Sequence, residues 1–87
     1  NSGEINFTIS DKQEAIQEVV EHFTKNEKVI NIYDFDGYRI EFDDWWFNIR
    51  PSNTEPYLRL IVEAKDKDLL SNKLDEFSSI LNPFLKN

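Results

Sequence analysis

Apolar residues alternate with polar ones over residues 5–9, where Ile5, Phe7 and Ile9 share one side and Asn6 and Thr8 the other, a period of two that predicts a strand. Ser10 or Asp11 then offers a helix cap, each followed three positions later by Gln13 or Glu14 in the reciprocal capping arrangement. Past the cap the period changes. Ile16, Val19, Val20 and Phe23 recur at helical spacing, Gln17, Glu18 and Glu21 fall on the wet side, and the run 25–28 ends the helix. Residues 29–33 return to β-branched and aromatic types, a second short strand. Asp34-Phe35-Asp36-Gly37 carries turn chemistry and leads into a hairpin: residues 38–42 alternate, Asp43-Asp44 marks the reversal, and residues 45–50 run back. Pro51 and Pro56 bracket a predicted loop over 51–56, since neither can donate to a ladder.

From residue 57 the alternation resumes, with Leu58, Leu60, Val62 and Ala64 on one face and Tyr57, Arg59, Ile61 and Glu63 on the other. Asp66 caps a final helix striped by Leu70, Leu74, Phe77 and Leu81 and stopped by Pro83. Strand, helix, several antiparallel strands, helix is an α+β order, and both amphipathic helices can cover one face of a two-layer domain. At 87 residues the chain is one domain, residues 1–87, with no repeat or linker. Trp45 and Trp46 fall on opposite faces, so one packs inside while the other meets solvent or a neighbouring domain.

Charge and composition narrow the function. Seventeen acidic against ten basic residues give a net charge of -7, which repels nucleic-acid phosphates at long range and sets nucleic-acid binding aside. Cysteine is absent, which removes disulfides, thiolate metal sites and thiol nucleophiles together. No apolar run reaches the ~18 residues of a membrane span, and the polar start does not resemble a signal peptide, so the expectation is a cytoplasmic chain that does not bind membranes. His22 has no evident second ligand and reads as a surface or half-buried residue, and the carboxylates Asp34 and Asp36 read as turn residues rather than as a magnesium site.

One stretch concentrates chemistry: Arg50-Pro51-Ser52-Asn53-Thr54-Glu55-Pro56. A guanidinium can fork onto two phosphate oxygens, the Ser52 and Thr54 hydroxyls and the Asn53 amide can each donate, and a tight run of backbone N–H groups can form an anion nest. Arg39, Arg50 and Arg59, the only arginines, all lie in the central strands, and arginine favours planar bidentate contacts. The same residue types also make ordinary solvated turns, and Arg39 and Arg59 can be spent on cross-strand acids such as Glu41 and Glu63. Residue chemistry alone leaves both readings open.

The loop, followed by Tyr57-Leu58-Arg59-Leu60-Ile61-Val62-Glu63-Ala64 and preceded by Asp36-Gly37-Tyr38-Arg39-Ile40-Glu41-Phe42, resembles the C-terminal domain of the α-D-phosphohexomutases, nearest the phosphomannomutase and phosphoglucomutase branch. The resemblance covers most of the chain. It implies a TATA-binding-protein-like architecture and makes Arg50, Ser52, Asn53 and Thr54 ligands of the substrate's phosphate. Asn53 stands where the glucosamine-phosphate branch usually has glycine, which favours the hexose branch. Such enzymes interconvert hexose 1- and 6-phosphates through a phosphoserine and a bisphosphate intermediate. The serine, magnesium and sugar-recognition loops belong to preceding domains, and nothing in this sequence matches them. The resemblance therefore implies a sugar phosphate and those domains as partners, magnesium for the full-length enzyme, and no catalytic residue, metal or cofactor in this chain. The alternative is a stand-alone module that binds a phosphorylated metabolite or docks a protein.

Overall fold

Leu58, Leu60, Val62 and Ala64 are all buried, and that inward row explains the centre of the fold: it belongs to strand β5 (Tyr57–Ala64), which has a strand on either side. The computed structural model describes residues 2–52 and 57–85. Its elements are β1 (Ser2–Thr8), α1 (Lys12–Asn26), β2 (Asn31–Tyr33), β3 (Tyr38–Glu41), β4 (Trp45–Pro51), β5 and α2 (Lys67–Leu81), with a closing 3-10 turn at Asn82–Phe84. One antiparallel sheet runs β1-β5-β4-β3-β2. The α+β class with two helices on one sheet face is therefore as expected.

Capping is local and as the sequence predicts. Asp11 accepts the Glu14 amide at 3.1 Å to start α1, and Asp66 accepts the Leu69 amide at 2.8 Å to start α2. Ala15, Ile16, Val19 and Phe23 face inward from α1, Phe77 and Leu81 from α2, while Val20, Leu70 and Leu74 are only half-buried at the margin. The Phe23 ring is the hub, with centroids of Phe77 at 4.7 Å, Trp45 at 5.0 Å and Phe47 at 5.5 Å. Beside it Lys73, with an 11% exposed side chain, bonds Glu27 at 2.6 Å and lies 4.8 Å from the Trp45 ring centroid, and Glu27 also accepts the Trp45 indole N–H at 3.0 Å. Such pairing is what lets a lysine sit so deep.

Several boundaries differ from the sequence reading. Pro51 belongs to β4 rather than to the loop, paired opposite Leu58. The Ser52 N–H donates to the Tyr57 carbonyl at 2.9 Å, so alternation places Pro51 at a non-hydrogen-bonded position toward β5, and β3 begins only opposite Ile49; no N–H is needed there. The second strand is shorter than residues 29–33: Ile30 is exposed, and only Asn31–Tyr33 pair, at an edge no helix covers. Ile9 lies beyond β1 and bridges to Leu85. Pro83 does end α2, which stops at Leu81, and it sits within the 3-10 turn that follows, whose first residues need no donor.

Candidate anion-binding site

Alternation along β4 sends Trp45, Phe47 and Ile49 into the core and leaves Trp46, Asn48 and Arg50 on the face away from the helices. The β4–β5 register then sets Arg50 directly opposite Arg59, two cations across one hydrogen-bonded pair, a juxtaposition that is unfavourable on its own. Arg59 is compensated by Glu4 of β1 at 3.0 Å. Glu63, the partner considered from sequence, cannot serve: it lies four residues along the same strand, about 13 Å away at roughly 3.3 Å per residue. Arg39 bonds Glu41 at 3.1 and 2.9 Å, two residues along its own strand rather than across, and its guanidinium lies 4.0 Å from the Trp46 ring centroid. The Arg39 bonds, and next the Asn31 amide, hold the Glu41 carboxyl below its ordinary value of 4.5.

Arg50 differs from both. It is exposed, and among the described residues it makes no ion pair. In a chain with seventeen acids, a guanidinium facing another arginine with no carboxylate partner among the described residues is conspicuous. Ser52 follows two residues on, half-buried, its N–H held by Tyr57 and its carbonyl accepting from the Lys12 ammonium at 3.1 Å. Asn53 and Thr54, the other two candidate ligands, lie outside the described residues.

The turn before β3 packs directly on this strand end. Asp36 has φ 54° and Gly37 φ 111°, and a side chain at Gly37 would place its Cβ 2.4 Å from the Ile49 carbonyl oxygen and 2.6 Å from the Arg50 Cβ. Only glycine permits that approach. A groove of about 590 Å³ between α1 and the start of β3, lined by Gln13, Gln17, Asp34, Tyr38 and Pro51 among others, opens beside the same loop.

The structure thus brings Arg50 and Ser52 together, sets the central-strand Arg59 directly opposite Arg50, and adds Lys12, a neighbour that sequence reading missed. Arg59 was accessible in principle, because a hairpin closing over 52–57 counts back from Ser52 opposite Tyr57 to Arg50 opposite Arg59. Lys12 had no local signal, being forty residues from Ser52. His22 is half-buried with Nε2 3.3 Å from Glu76 Oε2, Trp45 is buried, and Trp46 lies under Arg39. Among the described residues no group of three or more His, Cys, Asp or Glu is placed to hold a metal, and no helix is long and apolar enough to cross a membrane.

Fold and site define a class: a small α+β fold whose central hairpin presents a guanidinium that has no carboxylate partner among the described residues. The comparisons with known proteins place the chain further. Residues 4–79 match the family model described as phosphoglucomutase/phosphomannomutase, C-terminal domain, and the chain belongs to that family. It is 40% identical to a phosphomannomutase of Methanocaldococcus jannaschii over 93% of this chain and 17% of that protein, and 39% identical to a phosphomannomutase of Escherichia coli over 93% and 18%. A solved structure of a phosphoglucomutase/phosphomannomutase family protein from Burkholderia thailandensis superposes with a TM-score of 0.60 at 23% identity, over 95% of this chain and 18% of that one, and bears on the fold alone. The chain therefore spans less than a fifth of the length of the relatives it matches.

Proposed function

We propose that this chain is the C-terminal domain of a hexose-phosphate mutase and that it binds the phosphate of the sugar substrate through Arg50, Ser52, Asn53 and Thr54. The observation that carries the reading is Arg50, solvent-facing, opposed by Arg59 and without a carboxylate partner among the described residues. A phosphate dianion there satisfies the guanidinium by two parallel bonds and relieves the repulsion between the two arginines. The relatives' names supply the substrate class, and their length leaves room for preceding domains that would carry the phosphoserine, the magnesium and the sugar contacts.

In this division of labour the chain performs no bond-making step. It holds the phosphate that is not reacting, so that binding energy gathered at one end of the sugar aligns the other end and, as domains close, excludes water. A 1,6-bisphosphate intermediate must be held in two orientations, and a site that reads only phosphate accepts either end. A second reading, a protein-docking module, draws on one specific observation: Ile30, Ile32 and Tyr33 are each 51% exposed and Phe35 85% exposed along the β2 edge. Preceding domains of the same polypeptide would cover such an edge equally well.

A titration of the isotopically labelled 87-residue chain with inorganic phosphate or glucose 1-phosphate tests the assignment. Amide shifts are expected at residues 52–54, with a Kd in the millimolar range, about -4 kcal/mol. Arg50→Ala should abolish them with stability kept within about 0.5 kcal/mol, since Arg50 is exposed. Shifts confined to another surface refute the loop assignment, and measurable mutase turnover by this chain alone overturns the division of labour.

A further inference from the structure

A lysine at the first position of a helix opposes the macrodipole, which favours anions there. Lys12 occupies that position in α1, and its side chain is half-buried instead of turned out into solvent. The ammonium spends a charge-assisted bond on the Ser52 carbonyl at 3.1 Å, forty residues away in sequence. Ser52 is the first residue after β4, and its N–H is already taken by Tyr57. Both backbone polar groups of Ser52 are therefore fixed, one by the hairpin and one by the helix layer, which leaves its hydroxyl as the group free to address a ligand. Arg50 approaches this hairpin end from the open sheet face and Lys12 from the helix layer, so two cations flank the loop in a chain of net charge -7.

We propose that Lys12 is a positioning residue for the phosphate loop, anchoring the loop's entry through the Ser52 carbonyl. The inference rests on the phosphate reading of that loop and adds to it a residue on a different element. Without the anchor, Ser52 keeps its bond to Tyr57 but loses the tie to α1, and its hydroxyl spreads over more conformations before phosphate arrives. Binding weakens because the ordering that the lysine supplied in advance must be supplied by the ligand.

The test uses the 87-residue chain with inorganic phosphate as the probe, in wild type, Lys12→Met and Lys12→Arg forms. Wild type is expected to bind in the millimolar range; K12M should bind about tenfold more weakly and exchange its Ser52 amide hydrogen faster, while K12R returns to within about threefold of wild type. The urea midpoint of K12M should match wild type, which separates loop positioning from general loss of stability. A wild-type chain that ignores phosphate overturns the phosphate reading and this inference with it. A wild type that binds beside a K12M chain of equal Kd overturns the role of Lys12 alone, as does a K12R chain no better than K12M.

Discussion

Replacing Gly37 by alanine tests the link between fold and site at one atom. The added Cβ would sit 2.4 Å from the Ile49 carbonyl oxygen, 2.6 Å from the Arg50 Cβ and 2.8 Å from the Arg50 Cα. These are backbone and near-backbone atoms of a strand paired on both sides, so they cannot swing away as the end of a flexible side chain can. Two terms add. Holding a non-glycine residue at φ 111° costs about 1–3 kcal/mol, and relieving the overlap by moving the turn off β4 costs about 1–3 kcal/mol more. The sum, about 2–6 kcal/mol, is a large share of the ~4–13 kcal/mol expected of a domain this size. At about 4–8 °C per kcal/mol the melting temperature should fall by at least about 8 °C. Urea unfolding followed by tryptophan fluorescence reads the loss, because Trp45 is buried. The Phe35→Ala chain is the control in the same turn, its ring 85% exposed, and should stay within about 0.5 kcal/mol of wild type. Because the displaced atoms include Arg50, the phosphate response should weaken even at temperatures where G37A remains folded. A G37A chain as stable as the F35A control refutes the claim that this turn packs directly on β4 at Ile49 and Arg50.

Phe23→Ala should be more damaging than any other single truncation, about 3–5 kcal/mol, since that ring contacts Trp45, Phe47 and Phe77 at the centre of the core, and urea unfolding should show little folded chain left. For Glu41 the sign is set by its depressed folded pKa: the ionised form is favoured in the folded chain, so its contribution is present above its ordinary value of 4.5 and lost as pH falls through the lower folded value. Glu41→Gln should therefore be less stable than wild type at pH 7, with the gap closing below pH 4.5; a gap that stays constant with pH contradicts the Arg39 and Asn31 contacts as its cause.

Much of the architecture is written in short windows of sequence. The Leu58, Leu60, Val62, Ala64 alternation, the Asp11 and Asp66 caps and the Phe23 stripe each act within a few residues, and each appears in the structure where the pattern puts it. The phosphate-loop candidates Arg50, Ser52, Asn53 and Thr54 come from residue chemistry at one place in the chain, so the sequence alone suffices to nominate them.

What the tertiary structure alone decided is who stands beside whom. Pairing β1 with β5 brings Glu4 to Arg59 and frees Glu63 from that role; the hairpin register sets Arg50 against Arg59 and admits Pro51 into the strand; the packing of α1 carries Lys12 to Ser52. The hairpin contacts follow by counting once its closing pair is known, whereas the contacts of Glu4 and Lys12 have no local signature. Periodicity reports which face a side chain takes, because that is fixed by the backbone's own repeat, whereas the neighbour across a sheet or between layers depends on strand order and the closure of distant segments.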